Sequence, residues 1–202
     1  HLSAAIQIPT VSHADAAEDR PELFDALHRL LQESYPRLHS RLSLEVLPGG
    51  SLLYTWPGSS PELEPVLFMA HQDVVPADEH TLSKWTYPPF SGAIEEGFIW
   101  GRGSMDIKCQ LIAVMEAVEN LLAQDFQPCR TIILAFSNNE EVLGMGARVI
   151  VNQLKEKGIR LAAVIDEGTS ILDGVLPGFK GYTAPIAVTE KGQYDFVTDA
   201  DK

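Results

Sequence analysis

Between residues 131 and 165 an apolar run (TIILAF, 131–136), a stretch with helical spacing (144–157) and a second apolar run (LAAVI, 161–165) follow in succession. Strand, helix and strand at that spacing form a βαβ unit, which constrains the fold more than any other feature of the chain. Two parallel strands need a crossover, and a helix of this length supplies it, so the core is an α/β sheet with helices on its faces.

The rest of the chain fits that frame. Short apolar segments at 42–47, 52–56 and 66–70 are expected strands, separated by turns at Gly49-Gly50 and Pro57-Gly58. Residues 93–100 carry the acidic tip Glu95-Glu96-Gly97 and form a hairpin. Over 21–38, Leu23, Leu27, Leu30 and Leu31 recur at helical spacing behind Pro21, a favoured first-turn residue, which predicts one amphipathic surface helix. A longer helix runs over 106–123, where Leu111, Val114, Met115, Val118, Leu121 and Leu122 make one stripe. Residues 184–197 alternate enough for one or two further strands, and there is no internal repeat.

With 202 residues, 45% of them apolar, the chain can fill the core of one domain and begin a second. Its net charge of −13 argues against nucleic acid as a partner, because phosphate binding needs clustered Lys and Arg. Cys109 and Cys129 form neither a disulfide framework nor a paired-cysteine zinc motif, and are expected to be two buried thiols. No apolar run approaches the ~20 residues that span a bilayer, so no membrane partner is expected. The chain opens on His1 without an initiator Met, which leaves the compartment open between cytoplasmic and exported.

Four clusters of acids or imidazole stand directly after strand or hairpin segments, where an open α/β sheet places its ligand crevice. In MAHQDVVP the strand at 66–70 runs into His71 and Asp73. Two residues apart on an extended segment, both project from one face, so His71 can offer a ring nitrogen to a metal while Asp73 orients the imidazole. In GRGSMDIK, Asp106 opens the long helix, where an ordinary N-cap is the competing explanation. SNNEEVLG puts Glu140 and Glu141 side by side after the strand at 131–136. Neighbours on a strand point to opposite faces, so both can serve one site only if the chain has entered a turn there, as Asn138, Asn139 and Gly144 allow. VIDEG ends the last strand with Asp166 and Glu167. A solvated turn explains any one acid pair, but all four clusters share equivalent ends of core segments. Together they supply one imidazole and several carboxylates without thiolate. That set suits zinc, with manganese or cobalt as alternatives. Two ions bridged by one carboxylate, about 3.5–4 Å apart, would share a hydroxide, and a carboxylate that is not a ligand would carry its proton to the leaving amine.

MAHQDVVP, WTYPPFSG with GFIWGRGSMDIK, NNEEVLGMGA and VIDEG, in that order, resemble the di-zinc family of aminoacylases, carboxypeptidases and small-molecule deacylases. IPTVS near the start, VIDEG and the later EKG are most similar to the Gly-Xaa carboxypeptidase (carboxypeptidase S) and N-acyl-amino-acid hydrolase branch. The resemblance implies a zinc-peptidase-like catalytic domain in which His71 binds one zinc, Asp106 bridges both, Glu141 binds the second and Asp166 completes the first, with Glu167 its competitor. It implies Glu140 as general base and Asp73 as the residue that holds His71. Ile107 stands where many members have a second Asp, and Asn139 replaces an Asp often found before the glutamates. Members place a further histidine ligand near the end of a chain about twice this long, after an inserted lid or dimerisation domain. Here the last histidine is His80. The resemblance therefore implies that residues 1–192 are the N-terminal portion of the metal-binding catalytic domain. Residues 193–202 are then the start of a lid domain or a disordered end, and the lid and C-terminal part are missing.

The function so implied is hydrolysis of an amide bond in small peptides or N-acyl amino acids next to a free carboxylate, by metal-bound hydroxide with Glu140 as proton shuttle, in an enzyme that pairs as a homodimer through the lid. A homologue without catalysis, acting as a binding or regulatory module, is the alternative, disfavoured by the intact Glu140-Glu141 pair. A nucleotide-binding domain with incidental acids is the third reading, disfavoured because GRGSMD has neither the dinucleotide glycine spacing nor a phosphate-loop Lys-Ser/Thr ending.

Overall fold

The computed structural model describes residues 1–168, 171–175 and 177–186. The chain divides into two units, residues 1–167 and 168–202.

The first unit contains the sheet. Helices α1 (Leu2–Ile6), α2 (Pro21–Ser34) and α3 (Pro36–Arg41) precede strands β1 (Ser43–Val46), β2 (Leu52–Trp56) and β3 (Val66–His71). A hairpin of β4 (Ile94–Glu95) and β5 (Phe98–Ile99) leads to helix α4 (Lys108–Ala123), then β6 (Ile132–Ser137), helix α5 (Gly146–Glu156) and β7 (Ala163–Ile165). The five long strands form one mixed sheet in the order β1-β2-β6-β3-β7. β3 runs parallel to β6, from Val66 opposite Ile132 to His71 opposite Ser137, and parallel to β7 on its other side. β1 and β2 extend the sheet antiparallel.

Alternation along the strands explains why helices cover both faces. Leu52, Tyr54 and Trp56 of β2, Ala70 of β3 and Leu134 and Phe136 of β6 join Leu27 and Leu31 of α2, Leu38 of α3 and Leu111, Met115 and Leu122 of α4 in one cluster. The intervening residues, Leu53, Leu67, Ile133 and Ala135, join Ile150 and Leu154 of α5 in the other. A period of two in each central strand thus feeds two separate apolar layers. The βαβ unit, the strands at 42–56 and 66–70 and the hairpin at Glu95-Glu96-Gly97 all stand where the sequence places them. The hairpin tip takes positive φ at Glu96 and Gly97.

Two expectations need correction. The single helix expected over 21–38 is two helices broken at Tyr35, whose φ and ψ of −125° and 62° are not helical. Pro36 causes the break: it has no N–H to give the preceding turn and disfavours helical backbone in the residue before it. Nor are the thiols both buried, since Cys109 is half-buried and Cys129 is exposed on the turn before β6. Among the described residues, no helix is long and apolar enough to cross a membrane.

Tyr54 shows how the sheet is tied to the short helix before it. His39 Nδ1 lies 2.9 Å from the Tyr35 carbonyl, which can only accept, so this nitrogen carries the proton and Nε2 accepts from the Tyr54 hydroxyl at 3.0 Å. Tyr54→Phe is expected to cost about 1 kcal/mol of stability, read as a lower urea midpoint with an unchanged slope.

In the second unit, β8 (Leu172–Asp173) pairs antiparallel with β9 (Tyr182–Thr183). Of the strands expected over 184–197, residues 184–186 are irregular and the remainder lie outside the described residues, as do the EKG at 190–192 and the stretch 193–202 expected as the start of a lid domain or a disordered end.

Candidate metal centre

Three parallel neighbours, β3, β6 and β7, end on the same side of the sheet, and the chain leaving each carries a cluster of acids. His71 is the last residue of β3, with a side chain 3% exposed. Its Nδ1 donates to the Asp73 backbone carbonyl at 2.9 Å and lies 3.3 Å from the Asp73 carboxylate. A carbonyl cannot donate, so Nδ1 holds the proton in the neutral ring and Nε2 presents its lone pair. Around Nε2 stand Asp106 Oδ1 at 3.0 Å, Glu140 Oε2 at 3.8 Å and Glu167 Oε2 at 3.9 Å.

Asp106 reaches this point through a tight turn in which Gly103 has a φ of +85°. A Cβ on Gly103 would lie 2.9 Å from Val74 and press on Lys108, so the turn closes only with glycine there. The preceding WTYPPF segment packs on the same turn: the Arg102 amide donates to the Pro89 carbonyl at 2.7 Å, and its guanidinium lies over the Trp85 ring. The competing explanation of Asp106 as a helix cap is not realised. Helix α4 begins at Lys108 with Ile107 at the cap position and no side-chain cap bond, while the Asp106 side chain is 67% exposed beside His71. Ile107 is 5% exposed in the core under α4.

Beyond β6, residues 140–143 form turns, the condition for two adjacent glutamates to share one site. Asp73 holds that turn. Fully buried, it accepts the Glu140 amide on Oδ1 and the Glu141 amide on Oδ2, both at 3.1 Å. Asn139 accepts the amide of Gly146, the first residue of α5, at 2.8 Å. Glu141 and Asp106 line one cavity of about 400 Å³ with Val75, Arg102 and Met105. After β7, Asp166 accepts the Glu167 amide at 2.8 Å, and Glu167 turns towards His71.

The structure thus gathers His71, Asp106 and Glu167, whose donor atoms lie within 4.8 Å of one another. Glu140 faces the same imidazole, Glu141 borders the adjoining cavity and Asp166 stands one residue outside the triad. Sequence reasoning missed three buried groups around them. Gln72, between the two motif residues, donates to the Gly50 and Phe136 carbonyls and meets His28 Nε2 at 2.6 Å. Lys108, 1% exposed, donates to the Ala5 and Ile8 carbonyls. Its place one turn before Leu111 and two before Met115, on the apolar stripe of α4, was the available signal. The third, Ser12, donates to Asp73 at 2.6 Å.

The electrostatics are those of a crowded acid cluster around a buried ring. Burial acts to lower the pKa of His71, but hydrogen bonds and charge from Asp73, with the charge of Glu140, outweigh it and hold the imidazole at about 9. Burial acts to raise Asp73, yet His71, Ser12 and the Glu140 amide keep it below the usual carboxylate range. Glu140, Glu141 and Glu167 are all pushed up, by burial first and then by neighbouring acids. Lys108 is pushed down by burial to about 7, against the charge of Asp73.

An imidazole and carboxylates without thiolate, converging at the carboxyl ends of parallel strands, define an α/β domain with a site of the oxygen–nitrogen metal-binding type. Comparison with known proteins carries this to a family. The model of peptidase family M20/M25/M40 matches residues 67–201, and the chain belongs to that family. It is 43% identical to carboxypeptidase S of Saccharomyces cerevisiae over 96% of its own length and 35% of that protein's. It is 41% identical to the N-fatty-acyl-amino acid synthase/hydrolase PM20D1 of Mus musculus, over 97% of the chain and 39% of the relative. The chain therefore spans little more than a third of these relatives. Among solved structures it resembles an M20 family metallo-carboxypeptidase of Sulfolobus solfataricus, with a TM-score of 0.67, 23% identity and coverage of 84% and 37% of the two chains. Human carnosine dipeptidase 1 superposes with a TM-score of 0.66 at 20% identity over 85% and 38%. The carboxypeptidase S and N-acyl-amino-acid hydrolase resemblance seen in the motifs agrees with these relatives.

Proposed function

We propose that the protein to which this chain belongs is a metal-dependent hydrolase that cleaves an amide bond of small peptides or N-acyl amino acids beside a free carboxylate. The observation that carries the proposal is the convergence of His71, Asp106 and Glu167 within 4.8 Å, with Glu140 3.8 Å from the same imidazole nitrogen. The donor set fits a divalent cation. Three glutamates whose pKa values are raised, by burial first and by neighbouring acids second, stand around it, and positive charge would offset both effects. Zinc suits the set, with manganese and cobalt as alternatives.

In this reading His71 and an acid of the Asp166-Glu167 pair would hold one ion, Glu141 would hold a second, and Asp106 would be the ligand shared between them. Glu167 is favoured over Asp166 by its approach to His71. A cation bound there would supply Lewis acidity for the scissile carbonyl and lower the pKa of water. Asp73 fixes the ring through Nδ1 and sets the Glu140-Glu141 turn through its two oxygens. Glu140, fixed beside His71 by its amide's bond to Asp73, takes a proton from the attacking water and delivers it to the leaving nitrogen.

The test is a panel of N-acyl amino acids and dipeptides given to the metal-reconstituted full-length protein beside their C-terminal amides. Turnover of the free acids is expected, with kcat/KM about 10- to 100-fold lower for the amides, the discrimination typical of a lost charged contact. Equal rates on acid and amide would overturn the assigned substrate class, and metal retained without turnover on any substrate would leave a binding module.

A further inference from the structure

The IPTVS segment, residues 8–12, belongs neither to the sheet nor to the proposed ligands, yet it is tied to both sides of the site. It bridges the chain leaving β3 at Val11 and Val74, where the Val74 amide donates to the Thr10 carbonyl at 3.0 Å. Thr10 Oγ1 donates to the Gln72 carbonyl at 2.6 Å, and Lys108 reaches across from α4 to the Ile8 carbonyl at 2.6 Å. Ser12 Oγ donates to Asp73 Oδ2, also at 2.6 Å. Thr10, Ser12, Asp73 and Lys108 are at most 2% exposed. A buried hydroxyl is tolerated only when bonded, and space alone would be filled better by carbon.

We propose that Ser12 is a positioning residue of the metal centre, whose hydroxyl sets the plane of the Asp73 carboxylate and through it the His71 ring and the Glu140-Glu141 turn. Asp73 is the hub. Its Oδ1 takes the Glu140 amide and faces His71 Nδ1, while its Oδ2 takes the Glu141 amide and Ser12. The amide contacts are 3.1 Å long and come from the turn that Asp73 itself organises, so they cannot hold the carboxylate independently. Ser12 approaches more closely, from a segment pinned separately through its main chain, by the Val74 amide on the Thr10 carbonyl and by Lys108 on the Ile8 carbonyl, bonds that do not depend on the Thr10 side chain, and so supplies an outside reference. Without it the carboxylate is free to rotate about its Cβ–Cγ bond, which loosens ring and turn together.

The inference rests on the metal-dependent reading above, and the test separates the two. Zinc affinity by chelator competition and thermal unfolding without metal are measured on full-length wild type, Ser12→Ala, Ser12→Thr and Thr10→Val. The last removes an equally short and equally buried hydrogen bond from the same segment, but one that does not touch Asp73. Ser12→Ala is expected to weaken zinc about 10- to 100-fold, as loss of a group supporting a ligand does, while Ser12→Thr restores most of the affinity. Thr10→Val is expected to lower the unfolding midpoint as Ser12→Ala does and to keep wild-type zinc affinity. Wild-type affinity in Ser12→Ala, or equal loss in Thr10→Val, overturns the role of Ser12. A wild type that binds no zinc overturns the metal-dependent reading and the inference with it. Should Ser12→Ala not fold, the nearly isosteric pair Ser12→Thr and Ser12→Val, differing in the hydroxyl, carries the same comparison.

Discussion

Glu140→Gln in the full-length protein is expected to lower kcat by about 10²- to 10⁴-fold, the range that general acid–base catalysis contributes, and to leave the zinc content unchanged. The substitution keeps the side chain's shape and the amide that donates to Asp73 at 3.1 Å, so the turn carrying Glu141 stays in place. It removes only the ability to take and return a proton. Glu140 lies 3.8 Å from His71 Nε2, close enough for a direct ligand role to compete, and the two measurements divide the cases. Lost turnover with retained zinc identifies the proton carrier. Lost zinc would make Glu140 a ligand, and near-normal turnover would remove it from the chemistry.

The architecture was legible wherever a segment had a period to read. β6, α5 and β7 follow from apolar runs and helical spacing, and the two-layer core follows from alternation that separates Leu134 and Phe136 from Ile133 and Ala135. Local chemistry that interrupts a period was harder to weigh. Four leucines at helical spacing suggested one helix through Tyr35, although Pro36 stood in the middle of it. Helix α1, with Ala5 and Ile6 fully buried, is only five residues long, too short for periodicity to mark. Cys129 was expected inside because cysteine is an apolar residue on average, whereas its position on a turn decides the matter.

The candidate site divides in the same way. Residue types at strand ends pointed to His71, Asp106, the Glu140-Glu141 pair and the Asp166-Glu167 pair. Choosing within the last pair depends on a turn whose geometry no strand period transmits, and there Glu167 is the acid that faces His71. The double role of Asp73 was beyond reach from sequence alone. Holding His71 two residues away follows from spacing, but accepting the Glu140 and Glu141 amides depends on β3 and β6 lying side by side, His71 opposite Ser137. Ser12 and Lys108 are similar: each acts across at least 60 residues of sequence, through contacts that exist only once the fold has formed.

Metal and pH should act on stability through one set of groups. In the metal-free protein His71 titrates at about 9, above its ordinary 6.5. Its contribution to stability is therefore complete below pH 6.5 and lost as pH rises through 9. Glu140, Glu141 and Glu167 are also raised, so what they contribute is present below their ordinary 4.5 and lost as pH climbs past their folded values. Asp73, lowered, works the other way and loses its contribution only in strong acid. Near neutrality the metal-free site is thus an increasing liability as pH rises, while a cation needs the ring nitrogen deprotonated and the acids ionised. With free zinc buffered at about 1,000 times its Kd at pH 8, zinc should stabilise the fold by about 4 kcal/mol. At pH 6 and the same free zinc, two more units of competition from the His71 proton weaken binding on the order of 100-fold, leaving about 1.4 kcal/mol. Thermal unfolding with and without zinc at the two pH values reads the difference directly. An equal zinc-induced shift at pH 6 and pH 8 would mean that the ring is not displaced from a proton by metal, and His71 would lose its place as a ligand.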